Sequence, residues 1–247
     1  MANKRFKKFV PVVPGIFTIG NMFAGFVSIL HSTSGRVVSG AWLIIIGGIF
    51  DLLDGKVARL TRGTTEFGVQ LDSFADFLTF GVAPGILLFS LGIYNFKNWG
   101  FLIPVIFLTA GAFRLARYNV TASPHKKTDF QGLPIPLAAI FVASFIIFTD
   151  NIWGSIKFTA FFTPMMILLA WLMISNVRYP ANPFIFSIKG FNWKVFVLAA
   201  IFMAILVKPR WFIFPTIAIY ILNGFVREIY WIVRRTDKEV DNNEITC

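Results

Sequence analysis

Eight long apolar stretches cross the chain, at roughly 14–30, 37–55, 69–93, 99–118, 133–150, 158–175, 192–207 and 211–232. Most come close to the roughly 20 apolar residues that a helix needs to cross the hydrocarbon core of a bilayer. Polar and turn-forming residues punctuate the joints, as in Ser34-Gly35, Asn98-Trp99-Gly100, Lys208-Pro209-Arg210 and the run Gly132-Leu133-Pro134-Ile135-Pro136. The pattern predicts an all-α, polytopic transmembrane bundle of about eight spans. A kink is expected in the third span at Gly81-Val82-Ala83-Pro84-Gly85, because proline removes a backbone donor and glycine loosens the helix. The small-xxx-small spacing of the same stretch also suits close helix packing.

Composition agrees with this reading. Of 247 residues 56% are hydrophobic and only 14% charged, against about 25% charged in a soluble domain. Eight spans would use about 160 residues, which leaves enough for loops but not for a separate soluble domain. The chain is therefore expected to be one transmembrane catalytic domain, residues 1–235, with a core at 11–180, extra spans within 190–232 and a polar, disordered tail at 236–247. No internal repeat or low-complexity segment is visible. The basic N-terminus resembles the start of a signal peptide, but no small-residue cleavage site follows it, so the first span is expected to be retained.

The net charge of +11 fits anionic lipid headgroups better than nucleic acid, because the basic residues are spread over the joints between apolar runs. With the N-terminus cytoplasmic, 18 of the 23 Lys and Arg fall on that side, leaving Arg36, Lys97, Lys157, Lys208 and Arg210 on the other. That asymmetry predicts both termini cytoplasmic. The lone Cys247 excludes a disulfide framework, and two scattered histidines exclude a His-based zinc centre. Any metal must be held by oxygen. His125 reads as a solvated loop residue, and His31 lies at the far end of the first span. The 30 Phe and seven Trp read mostly as lipid-facing bulk and interfacial belt.

The exception to the apolar pattern is the segment from Phe50 to Asp76, where Asp51, Asp54, Asp72 and Asp76 sit at the ends of two apolar runs. On helices, Asp51 and Asp54 share a face about 4.5 Å apart along the axis, and Asp72 and Asp76 about 6 Å apart. Two helices joined by a loop can present all four to one point. Each carboxylate placed in a bilayer costs about 2.5–3.5 kcal/mol even on a lenient scale, so something positive must compensate. Charge balance favours two divalent cations, and an all-oxygen shell suits Mg²⁺ or Mn²⁺. Mg²⁺ commonly enters such sites with phosphates, which makes a diphosphate the natural guest. Helix capping or pairing with Arg59 and Arg62 is the plainer alternative, and an ion or proton path is another. Arg59 suits either a phosphate clamp or a local ion pair. Gly55, Ala58 and Gly68 permit either close approach of a ligand or close helix packing.

With its spacing the segment reads D-x2-D-G-x2-A-R-x8-G-x3-D-x3-D, from Asp51 through Asp54, Gly55, Ala58, Arg59, Gly68 and Asp72 to Asp76. It resembles the signature of the CDP-alcohol phosphotransferase family at all eight fixed positions. Pro14 to Asn21, Phe113 to Asn119, Gly132 to Pro136 and Ser175 to Pro180 further resemble the bacterial and archaeal branch whose acceptor is serine. The resemblance implies an integral membrane enzyme of the prokaryotic cytoplasmic membrane with its active site facing the cytoplasm. It implies transfer of the phosphatidyl group of CDP-diacylglycerol to the hydroxyl of L-serine, with release of CMP. Glycerol 3-phosphate or inositol are the alternative acceptors, and a homodimer is expected on the same ground.

On this resemblance Asp51, Asp54, Asp72 and Asp76 would hold Mg²⁺ or Mn²⁺, as two ions, and Asp76 would also act as general base. Gly55, Ala58, Arg59 and Gly68 would line the CDP pocket, Thr65 would touch the donor, and Thr18 and Asn21 would close the nucleotide site. Arg114, Arg117 and Asn119 are the candidates for serine, with the Gly132-Leu133-Pro134 turn shaping the same pocket.

Overall fold

The computed structural model describes residues 12–61, 65–92, 100–121, 130–156, 159–175, 177–179 and 193–244. The basic N-terminus, Arg62, His125 and Cys247 lie outside the described residues, as does the side chain of Arg59. Helices α1 (Val12–Thr33) and α2 (Val37–Thr61) are followed by a rod of α3 (Glu66–Asp76), a π-helical stretch (Phe77–Val82) and α4 (Ala83–Ser90). Then come α5 (Leu102–Thr121), α6 (Ile135–Trp153), α7 (Thr159–Ile174), α8 (Trp193–Val207) and α9 (Pro209–Glu244). Each of the eight apolar stretches coincides with one helix or rod. Among the described residues, five of them are long and apolar enough to cross a membrane: α1, α2, the rod, α6 and the first half of α9. The protein is a polytopic helical membrane protein.

Two local features add detail to the sequence reading. Proline 84 falls in the first turn of α4, and the preceding turn widens so that the Ala83 N–H bonds to the Leu78 carbonyl five residues back. The missing proline donor is thus absorbed as a π-turn directly after Asp76, a common device near functional sites. Gly81 and Gly85 both face α5, where added Cβ atoms would meet Leu108 at 3.2 Å and Pro104 at 3.5 Å, so the small-xxx-small spacing serves packing as well. The second is at the C-terminus, where α9 runs to Glu244. Residues 236–244 hold no Gly or Pro to break the helix.

The α1–α2 connection is a tight reversal. Gly35, at φ 77°, lets the Arg36 N–H bond to the His31 carbonyl at 2.9 Å and its own N–H to Ser32 at 3.1 Å, the glycine-terminated motif that closes a helix. The two helices then pack along their length, and α6 lies against α2 at the centre of the bundle. Ile135, Ala138, Ala139, Val142, Ala143 and Ile146 of α6 are fully buried, and the three small alanines keep that face thin enough for neighbouring backbones to approach. Not all aromatics face lipid. Phe145 of α6 packs against Phe162 of α7 at 5.2 Å and Phe214 of α9 at 5.0 Å, and Phe80 and Phe107 are fully buried. The outward faces of α1, α2, α8 and α9 carry exposed Ile, Leu, Phe and Val, as a lipid-facing surface requires.

At the end of the bundle where α5, α6 and α7 meet, the strand pair β1 (Phe130–Gln131) and β2 (Arg178–Tyr179) runs antiparallel. The Gly132 N–H bonds to Val177 at 2.9 Å and the Leu133 N–H to Leu172 at 3.0 Å. Gly132 has φ 78°, and a Cβ there would strike the Met173 carbonyl and the Arg117 guanidinium. Only glycine fits this turn.

Candidate metal and phosphate centre

The last turns of α2 and the whole of α3 meet at one end of the bundle. Carboxylate oxygens of Asp51, Asp72 and Asp76 lie within 4.8 Å of one another, all half-buried. At such a separation each ionised pair repels by roughly 3 kcal/mol at an effective dielectric of 20. Asp72 Oδ1 is buried with no hydrogen-bond partner. Three converging carboxylates, with an unpaired oxygen on Asp72, fit a hard divalent cation and its all-oxygen shell.

Asp54 does not join that group. Three residues beyond Asp51 on α2, it is turned by about 60° around the axis, and its carboxylate accepts a hydrogen bond from the Thr18 hydroxyl. It remains close enough to act electrostatically on Asp51 and Asp72. Of the four carboxylates expected to hold metal, Asp51, Asp72 and Asp76 converge, and Asp54 lies beside them against Thr18. Asn21 Nδ2 donates to Asp76 Oδ1 at 3.1 Å, so both candidate residues of α1 touch the acidic centre. Thr18 and Asn21 are buried, one turn apart on the face of α1 that packs on α2 and α3. Sequence inspection misses the residue behind Asn21: Thr79 of the π-stretch, whose hydroxyl donates to the Asn21 carbonyl at 2.9 Å.

Around this centre the other candidates divide. Gly55 is exposed and Ala58 half-buried on the last turns of α2. Thr65 caps α3, its hydroxyl accepting the Gly68 N–H at 3.0 Å, so these two candidates form one helix start rather than two independent contacts. Arg114 is buried, stacks at 5.4 Å on the Tyr118 ring, and acts electrostatically on Asp51 and Asp76. Arg117, one turn further along α5, reaches the end of α7. Its guanidinium donates to the carbonyls of Ile174 at 3.1 Å and of Met173 and Ser175 at 3.4 Å. Those are the orphan acceptors of the α7 C-terminus, and a cation there is favoured by the helix dipole. Asn119 Nδ2 donates to Ser73 Oγ at 2.9 Å, tying α5 to α3 beside Asp72.

Fold and site together define a polytopic membrane protein with an acidic, oxygen-only centre at one end of its bundle, overlooked by a buried arginine. Residues 11–177 match the family model described as CDP-alcohol phosphatidyltransferase, and the chain belongs to that family. Over 224 residues it is 35% identical to the CDP-diacylglycerol–serine O-phosphatidyltransferase of Helicobacter pylori, covering 90% of this chain and 92% of the relative. It is 35% identical over 183 residues to the archaetidylserine synthase of Methanothermobacter thermautotrophicus, covering 73% and 74% of the two chains. Identity to the Bacillus subtilis CDP-diacylglycerol–serine O-phosphatidyltransferase is 33% over 174 residues, 68% of this chain and 89% of the relative. The Helicobacter match is longer than the family core and so reaches into α8 and α9.

Proposed function

We propose that this protein transfers the phosphatidyl group of CDP-diacylglycerol to the hydroxyl of L-serine, releasing CMP and forming phosphatidylserine. The observation that carries the reading is the convergence of Asp51, Asp72 and Asp76 within 4.8 Å on the segment that bears the family signature. The relatives that carry serine in their names supply the acceptor.

Asp51, Asp72 and Asp76 would hold one Mg²⁺ or Mn²⁺, with Asp54 beside them for a second ion. Bound there, the metal supplies positive charge against the phosphoryl oxygens and the departing nucleotide. The protein's own groups do the rest. Asn21 engages Asp76 Oδ1, leaving Oδ2 to accept the proton of the serine hydroxyl. The new bond forms between the serine oxygen and the lipid-side phosphorus, the bond from that phosphorus to the CMP oxygen breaks, and CMP carries away the electron pair. Arg114, buried beside the acidic centre, takes the serine carboxylate through its planar fork, with Asn119 at the rim. Gly55, Ala58, Arg59, Thr65, Gly68 and Thr18 line the CDP pocket.

The lipid donor orients the site. The acidic centre lies at the α2–α3 end, together with Lys56, Arg114 and Arg117, so charge asymmetry supports a cytoplasmic face of the cytoplasmic membrane, eight spans and both termini inside. Residues 1–235 are read as a single catalytic domain, acting as a homodimer.

The test is CMP release from CDP-diacylglycerol by detergent-purified protein with Mg²⁺ or Mn²⁺, offering serine, glycerol 3-phosphate and inositol in parallel. Release that requires both metal and serine is expected. Release with a different acceptor would remove the role given to Arg114, and release that survives chelation would remove the metal.

A further inference from the structure

Hydroxyls in the helices of this protein mostly close on their own helix. Ser32, Thr33, Ser73, Ser90, Thr109 and Thr216 each donate to the carbonyl four residues back. Thr79 does otherwise. Its hydroxyl leaves the π-stretch, crosses to α1 and donates to the Asn21 carbonyl at 2.9 Å. In the helical register of α1 that carbonyl already has the Gly25 N–H as its partner, so the crossing bond is not needed to satisfy it.

The seat for Thr79 is built from two other helices. A Cβ on Gly25 of α1 would meet Thr79 Cα at 2.8 Å and Cβ at 2.9 Å, and a Cβ on Gly47 of α2 would meet the Thr79 methyl at 2.6 Å. The same Cβ on Gly47 would stand 3.0 Å from Asn21 Oδ1. Thr79 and Asn21 are both completely buried. Asn21 is thus gripped twice by one rod: its backbone carbonyl by Thr79, and its side-chain amide through the donation to Asp76 Oδ1 at 3.1 Å. Asn21 Oδ1 has no hydrogen-bond partner of its own. The orientation of that amide therefore depends on where the α1 backbone is held.

We propose that Thr79 is a positioning residue for Asp76. By holding the α1 backbone at Asn21, it sets the Asn21 amide and through it the carboxylate that receives the serine proton. The inference rests on the role given to Asp76 above. The widened stretch Phe77–Val82 begins directly after Asp76 and contains Thr79, so the π-turn lies within the site, as such turns commonly do.

Thr79→Val keeps the shape, including the methyl against Gly47, and removes only the donor. Its kcat is expected to fall about tenfold to 100-fold, the range seen when an outer partner of a reactive group is lost. KM for CDP-diacylglycerol and for serine should stay within about twofold, and so should the rise in melting temperature that Mn²⁺ alone produces in the absence of substrate. Thr79→Ser, which restores the hydroxyl, should recover most of the lost turnover. Full turnover in Thr79→Val overturns the proposal, as does a Thr79→Ser variant no better than Thr79→Val. A lost Mn²⁺ response in Thr79→Val also overturns it, since the whole centre would then have collapsed. Should the valine variant not fold, Thr79→Ala is expected to show the same kcat loss, and full activity there overturns the proposal equally. Asp76→Asn, assayed alongside, separates the two levels of argument. Near wild-type turnover in Asp76→Asn removes the base and this inference with it, whereas an inactive Asp76→Asn beside a fully active Thr79→Val removes this inference alone.

Discussion

The two ends of the α1–α2 pair are built from the same small parts and used differently. At the end near the Gly35 turn, Gly40 admits α1 closely, and the hydroxyls that enter are neutral and paired: Ser28 donates to the Gly40 carbonyl and Ser32 to the Ser28 carbonyl, both at 2.8 Å. At the other end Gly47 admits Asn21 and Thr79, but the polar groups there face carboxylates, and two buried oxygens, Asn21 Oδ1 and Asp72 Oδ1, have no partner. The first end has its own orphan, the ring nitrogen His31 Nδ1, but its hydroxyls meet carbonyls rather than carboxylates. A buried polar group that bonds within the protein contributes modestly to holding helices together, whereas an unpaired anionic oxygen is destabilising until a ligand brings the opposite charge. One end is therefore structural, and the other brings together three carboxylates that could hold a cation.

The strongest way to break this contrast is Asp76→Asn. Turnover is expected to fall about 10²–10⁴-fold, the usual contribution of a positioned base, while CDP-diacylglycerol still binds; CMP release and donor binding measured on one preparation decide it. Next is Asp72→Asn, which fills the orphaned position with an amide. The Mn²⁺ concentration for half-maximal activity should rise by more than about 100-fold, beyond the effect of losing an outer-shell partner, and a metal titration reads it directly.

A smaller effect sharpens the contrast within α5. Arg114→Lys should raise the serine KM about tenfold or more through loss of the bidentate fork, while Arg117→Lys should leave that KM within about twofold and lower the melting temperature, because Arg117 closes the α7 C-terminus. Equal serine kinetics in the two variants would remove Arg114 from the acceptor pocket. Smallest of all, Ser28→Ala at the structural end should reduce stability by about 1 kcal/mol with CMP release unchanged. Lost activity there would mean that the two ends are coupled.

The helices were legible because a bilayer imposes a length and an apolar composition that few other environments impose. The acidic centre was legible because charge in such a chain is conspicuous, and Asp51, Asp54, Asp72 and Asp76 stand out before any fold is known. Their division was not legible: a helical wheel places Asp51 and Asp54 on one face but does not reveal that the Thr18 hydroxyl takes Asp54. Arg114 and Arg117 look alike for the same reason. Three residues apart on one helix, they meet entirely different neighbours.

By itself the sequence determined the class of the protein, the positions of its helices and the chemistry gathered between residues 51 and 76, because hydrophobic period and charge placement are local properties of the chain. Tertiary structure alone decided which carboxylates converge, which arginine overlooks them, and that Asn21 is held on both sides by the rod of Asp76 and Thr79. Those outcomes depend on how closely three helices approach at Gly25 and Gly47, a distance set by packing between segments far apart in the chain.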